Sequence, residues 1–180
     1  IEHMTPVILL TDGYIANGSE PWRIPEMAAL QRTEITHPAG TENGDPFLPY
    51  LRNERLARPW AVPGTPGLMH RIGGLEKQDV TGNVSHDPDN HHRMQLLRAE
   101  KVARVADTIP ELVPHGVDRG ELLIVGWGST YGPIGAGVRR VRRAGFAVAQ
   151  AHLRHLNPFP KDLGEVLARD ELEREHNPPV

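Results

Sequence analysis

The chain has 180 residues, 38% hydrophobic and 24% charged, with a net charge of −3 and no cysteine. That length suffices for one domain, or parts of two, with a sizeable core, and the charge gives no electrostatic case for nucleic acid or an anionic membrane. Absence of cysteine removes disulfides, thiolate nucleophiles, cysteine-bound zinc and cysteine-ligated iron–sulfur clusters from this chain, and a cytoplasmic setting is the plain expectation.

The first residue is Ile, and Ile1–Met4 leads directly into Val7-Ile8-Leu9-Leu10. In a βαβ unit a helix end precedes such a strand, so the chain reads as a fragment; residual tag sequence at Ile1–Met4 is the other reading. Pro6–Leu10 has the aliphatic character of a strand buried on both faces of a parallel sheet. Thr11-Asp12-Gly13 then stands at its carboxyl end, the edge where open α/β sheets bind ligands. Prolines recur from Pro21 to Pro66, and no helical period survives for long. This is a long crossover, with 39–45 loop by composition and Trp22, Tyr50 and Trp60 expected to pin it.

Gly67–Met94 is rich in glycine, histidine and paired charge, and poor in periodic apolar residues. Core elements show a period of 2 or 3.6 and this segment shows neither, so it is expected to serve by what its side chains present. Asp87 is a natural N-cap with Pro88 in the first helical position. Leu96, Ala99, Val102, Ala103, Ala106 and Ile109 predict an apolar stripe, Glu100 pairs with Arg104 at i,i+4, and Pro110 and Pro114 end the helix.

Leu122–Val125 predicts a second buried strand, running through Gly126–Gly132 into a helix with Ile134, Val138 and Val141 on one face. Gly145 ends that helix, Phe146–Ala149 predicts a third strand, and Asn157–Pro160 a turn. Strand, helix and strand with short joints make a βαβ unit, expected to be right-handed. The domain boundary then falls within 60–115.

Several groups are candidates for chemistry. Gly126–Gly132 is spaced G-x-G-x-x-x-G with no acidic residue placed for a ribose, so a tight strand-to-helix turn explains it without a nucleotide. Arg139, Arg140, Arg142 and Arg143 crowd a helix end, where cations complement the dipole; an acidic protein docking there is the functional alternative. His86, Asp87, Asp89, His91 and His92 match no zinc spacing, so no metal is expected, though one of these histidines can line a substrate pocket. Arg71 is followed by Ile72-Gly73-Gly74, which lets backbone approach closely, and then by Glu76, Lys77 and Asp79. Its fork suits a carboxylate, with Thr81 as a hydroxyl donor; the competing reading ties Arg71 to Glu76 or Asp79.

LLTDGYIANGSEPW, PWAVPGTPGLMHRIGGLEKQDVTGNVSHDPDNHHRM, LLIVGWGSTYGPI and HLNPFP, in that order, resemble the α subunit of 2-oxoacid:ferredoxin oxidoreductases, nearest the 2-oxoglutarate branch. The resemblance runs nearly throughout, to about Arg169. It implies an α/β fold in which residues 1–20 end a thiamine-diphosphate-binding-type (pyrimidine) domain and 21–66 are the crossover. Residues 67–115 are then the substrate-facing segment and helix, and 116–180 a partial transketolase C-terminal-like domain whose sheet is incomplete. The polar, helix-like stretch after Arg169 departs from the family, which continues into another apolar strand.

The implied activity is coenzyme A-dependent oxidative decarboxylation of a 2-oxoacid, with electrons passed to ferredoxin. The implied cofactors are thiamine diphosphate and Mg2+, held mainly by a β subunit that also carries an iron–sulfur cluster. The implied partners are that β subunit, a second α subunit and ferredoxin, with neither nucleic acid nor membrane. Arg71 and Thr81 match the arginine and threonine that reach the 2-oxoacid in related enzymes. The resemblance assigns no catalytic or metal-binding residue here, since the cofactor-activating glutamate lies in a part of the first domain that this chain lacks. The fragment is then expected to be inactive alone. The alternatives are a non-catalytic assembly module and a stand-alone nucleotide-binding domain.

Overall fold

The computed structural model describes the chain except residues 31, 41–43, 118, 119, 121 and 175–180. Part of the loop expected over 39–45, three residues near the start of the domain expected over 116–180, and the end of the polar tail therefore lie outside the described residues. The elements in chain order are α1 (Gly13–Ala16), a 3-10 turn at Met27–Ala29, α2 (Pro88–Arg104), a 3-10 turn at Val105–Thr108 and β1 (Leu122–Trp127). A 3-10 turn at Gly128–Thr130, α3 (Tyr131–Arg143), β2 (Val148–Leu153) and α4 (Leu163–Arg174) follow. They fall into two units, one of Ile1–Val7 with Arg23–Val105 and one of Ile8–Trp22 with Ala106–Val180.

The first unit is built around α2 and irregular backbone. Asp87 caps α2 as expected, its carboxylate accepting from the amide of Asp89 at 2.9 Å, with Pro88 in the first turn. The apolar stripe does not fall where the periodicity put it. Met94 is the residue of α2 that is fully buried, while Leu96 is 57% exposed and Ala99 and Ala103 face outward. The inward face instead carries Asn90, Met94, Leu97 and Lys101, at spacings of four, three and four. Polar anchoring at Asn90 and Lys101 sets the rotation of this helix more than its small alanine stripe does, because alanine brings little area to bury. The Glu100–Arg104 pair forms, with Arg104 Nε 3.0 Å from Glu100 Oε1.

The proline-rich crossover is irregular, as expected, and tied at particular points. Tyr50 bridges Val80 through its amide at 3.1 Å, and the indole of Trp60 donates to the carbonyl of Ile1 at 3.2 Å. Trp22 does not pin it, being 80% exposed.

The second unit is α/β with a parallel strand pair, β1 against β2 from Leu122↔Val148 to Trp127↔Leu153. The core is Val138 from α3, Val148, Ala149, Ala151 and Leu153 from β2, and Val166 from α4. Beside β2, His115 exchanges backbone hydrogen bonds with Gln150 at 2.8 and 2.9 Å. β2 is thus flanked on both edges and buried, whereas β1 has one described neighbour, leaving Leu122, Val125 and Trp127 largely exposed.

Two strand expectations need correction. The third strand begins at Val148, two residues after Phe146. Gly145, at φ 98°, donates to Arg142 O at 3.0 Å and Phe146 to Val141 O at 3.4 Å, so a Schellman cap uses Phe146 to close α3. Val7–Leu10 forms no ladder with any described residue, and Val7, Ile8 and Leu9 are each more than 80% exposed. A strand exists only by pairing, and a β-prone run without a partner remains extended coil.

The backbone at Val80–Gly82 leaves no room for a side chain on the glycine. A Cβ on Gly82 (φ 73°) would lie 2.5 Å from Pro49 Cγ and 3.1 Å from the Tyr50 ring. Gly82→Ala is therefore expected to cost more than about 2 kcal/mol, left-handed strain adding to the clash with buried Pro49. Thermal unfolding checks it, and an unchanged melting temperature contradicts the packing described.

Candidate functional site

Gly67–Met94 folds back on itself and onto the start of α2. Lys77 and Val84 pair as an antiparallel bridge, with Gln78 N to Asn83 O at 2.6 Å and Ser85 N to Glu76 O at 3.1 Å. At the tip, Val80 takes φ 65° and Gly82 φ 73°. A β-branched residue in the left-handed region is strained, and such residues persist only where their surroundings over-determine them.

The surroundings here are polar. Asp79 receives Arg52 on one carboxylate oxygen and Arg93 Nε on the other at 2.6 Å, and also accepts from the amide of Val80 at 3.0 Å. Asn90 reaches across from α2, accepting from Asp79 N and donating to Lys77 O, both at 3.0 Å. The Lys77 ammonium is buried and donates to the carbonyls of Gly73 and Leu75 at 2.9 and 2.5 Å. Glu76 takes His91 Nδ1 at 2.8 Å and Arg98 at 2.6 Å. Burial pushes both carboxyls up, but the hydrogen bonds and charges of their partners outweigh it and hold Asp79 and Glu76 below the ordinary carboxylate range.

This network decides what is left over. Glu76 and Asp79, the acids near Arg71 in sequence, are both committed to other cations. Arg71 is exposed and makes no hydrogen bond or ion pair with any described residue. Thr81 is also exposed; its hydroxyl donates to Gln78 Oε1 at 3.0 Å and accepts from Asn83 N at 3.3 Å, closing the hairpin tip. Arg71 and Thr81 make no hydrogen bond to each other. Of the histidine cluster, His91 is absorbed by Glu76, while His86 and His92 are exposed. No three of the described His, Asp and Glu side chains gather as a metal ion requires.

In the second unit the glycine turn has a packing explanation. A Cβ on Gly126 would lie 2.4 Å from Ile134 Cδ1 and 2.8 Å from Thr130 Oγ1, so this glycine lets α3 close onto β1. Ser129 donates to Asp12 at 2.7 Å, and that hydrogen bond holds the Asp12 carboxyl below its usual range. Arg140, Arg142 and Arg143 occupy the last turn of α3, exposed together with Arg139.

Sequence reasoning passed over one cluster. The ring of Tyr131 packs edge-on against His152 (centroids 5.0 Å) and His115 (6.0 Å), at the carboxyl half of β2. Burial, helped by the charges of Arg154 and His115, lowers the affinity of His152 for its second proton, and its Nδ1 has no hydrogen-bond partner among the described residues. These residues are scattered in sequence, and nothing local announces that they meet.

No family model matches the chain. It is 54% identical over 171 residues to the 2-oxoglutarate oxidoreductase subunit KorA of Mycobacterium tuberculosis, covering 94% of this chain and 25% of that protein. It is 33% identical, over 94% of its length, to the α subunit of 2-oxoacid:ferredoxin oxidoreductase 1 of Aeropyrum pernix, of which it covers 26%. Its fold is similar to the 2-oxoglutarate:ferredoxin oxidoreductase of Magnetococcus marinus solved with 2-oxoglutarate, coenzyme A and succinyl-CoA bound. That match has a TM-score of 0.62 and 27% identity, and covers 74% of this chain and 23% of the other. The chain thus spans about a quarter of the length of the relatives it matches, and the resemblance read from its motifs holds along nearly all of it.

The Asp79 clamp carries a prediction. Asp79→Asn removes the charge that two arginines share and is expected to destabilise the protein by about 2 kcal/mol in denaturant unfolding. Because the folded-state pKa is depressed, the carboxylate's stabilisation is complete above its unfolded value near pH 4 and is lost as pH falls through the folded value. The variant should therefore lose less stability than the parent on acidification below about pH 4. An equal loss in both contradicts the assignment.

Proposed function

We propose that this chain is part of the α subunit of a 2-oxoglutarate:ferredoxin oxidoreductase, and that Arg71 pairs with a carboxylate of the 2-oxoacid. The observation that carries the site assignment is the commitment of Glu76 and Asp79 to other cations, which leaves the Arg71 guanidinium exposed beside a run of glycines. A guanidinium stays charged at any working pH and meets a carboxylate with two parallel hydrogen bonds. Thr81 supplies a hydroxyl by turning its proton from Gln78 to the substrate. A second carboxylate on the substrate, as in 2-oxoglutarate, asks for such a second group.

The proposed reaction is oxidative decarboxylation of the 2-oxoacid, transfer of the acyl group to coenzyme A, and delivery of the electrons to ferredoxin. Thiamine diphosphate with Mg2+ supplies the carbanion chemistry when bound. We assign its diphosphate and metal site, and the iron–sulfur cluster, mainly to a β subunit, as the resemblance implies. What this chain contributes is orientation: the Asp79 network holds a strained loop still, so that Arg71 and Thr81 are positioned before substrate arrives. A second α subunit completes the assembly, and its setting is cytoplasmic; no described helix is long and apolar enough to cross a membrane.

The second reading is an assembly module without a substrate role. It is favoured by the exposed arginines at the end of α3 and the unpaired apolar run Val7–Leu10. The two separate in the assembled αβ enzyme carrying Arg71→Ala. Loss of a charge-assisted bidentate contact is expected to raise the Michaelis constant for the 2-oxoacid by at least about tenfold, with subunit assembly intact. Unchanged kinetics would remove Arg71 from the site.

A further inference from the structure

Behind the substrate-facing segment, within the first unit, lies a cavity of about 290 Å³. Its wall is formed by Tyr50, Arg52 and Arg58 from the crossover, Glu76 from the folded-back segment, and Arg98 and Lys101 from α2. Five cations border it when the buried Lys77 is included. They are not equally satisfied. Arg52 is neutralised by Asp79, Arg98 by Glu76, and Lys77 by carbonyl groups. Arg58 lies over the Tyr50 ring, 4.7 Å from its centroid, and makes no ion pair with a described residue. Lys101 donates to the carbonyl of Met4 at 2.7 Å and has no carboxylate partner among the described residues.

Two adjacent cations, both half-buried and neither matched by an acid, are costly to hold together. Lys101 records that cost: burial first, then the charges of Arg58 and Arg52, bring its pKa down to about 8. A structural role requires neither cation to lack a carboxylate. A doubly charged anion would match both, with the fork of Arg58 spanning two of its oxygens and the ammonium of Lys101 donating to a third. A carboxylate would leave one charge unmatched.

We propose that this cavity binds a tetrahedral dianion of the phosphate class, free or carried on a larger molecule, between Arg58 and Lys101. The site is separate from Arg71 and Thr81, which do not line the cavity, and it stands whether or not they bind the 2-oxoacid.

Sulfate is a suitable probe because it remains a dianion across the range in which Lys101 titrates. Isothermal titration of the native assembly with sulfate should show saturable binding whose affinity falls by up to about tenfold between about pH 7 and about pH 9. Lys101→Arg, which keeps the charge and does not titrate, should bind with the pH dependence flattened. Lys101→Met and Arg58→Ala should each weaken binding at least about tenfold at the lower pH. The other charged groups bordering Lys101 are Arg52, Lys77 and Arg98, and the ionised Glu76. Parallel titrations with orthophosphate and a phosphate monoester identify the source, a tighter ester marking a phosphate on a larger molecule and equal affinities marking the free ion. Absence of saturable sulfate binding, or binding that survives both Lys101→Met and Arg58→Ala, would overturn the proposal.

Discussion

The first unit depends on one carboxylate. Asp79 sits with a side chain only 14% exposed between Arg52 of the crossover and Arg93 of α2, and holds the amide of the strained Val80. Without it the two arginines would face each other unmatched, and the strained Val80 would lose the hydrogen bond to its amide, keeping only the bridge to Tyr50. Asn90 completes the constraint by satisfying one backbone group on either side of Gln78. Three stretches far apart in sequence are thereby fixed to one another by hydrogen bonds rather than by apolar area. This agrees with how little of α2 is buried.

The same arrangement explains where charge is left unmatched. Glu76 and Asp79 each hold two basic groups, and Lys77 is satisfied by carbonyls, so neither of these two acids is left for a further cation. Arg71 on the outside, and Arg58 with Lys101 around the inner cavity, have no carboxylate partner among the described residues. A structure that only needed stability would gain by pairing the half-buried Arg58 and Lys101, since an unpaired charge out of water is unfavourable. The folded-back segment thus leaves one cation exposed, which we propose meets the substrate carboxylate, and helps to enclose two others.

Local signals were legible wherever a single backbone rule decides. Asp87-Pro88 starts α2 and Gly145 ends α3, because a cap is a contact between neighbours in sequence. The parallel βαβ unit was legible for the same reason, apart from the start of the last strand, where the Schellman cap takes Phe146 and pairing begins at Val148. The phase of α2 was not, since hydropathy weighs Leu96 and Ala99 above Asn90 and Lys101, and long-range hydrogen bonds reverse that weighting. Nor was the state of Val7–Leu10, whose composition says strand but whose pairing depends on a neighbour that composition does not supply. In the site, the motif order located the segment and drew attention to Arg71. The partners of Glu76 and Asp79 lie up to 27 residues away and are visible only in the fold.

The most direct test of the substrate assignment is a crystal structure of the assembled enzyme with 2-oxoglutarate bound. The account predicts a substrate carboxylate oxygen within hydrogen-bonding distance of the Arg71 guanidinium, with the Asp79–Arg52–Arg93 cluster unchanged behind it. A substrate whose carboxylates are both held by other groups, with Arg71 left facing solvent, would contradict it.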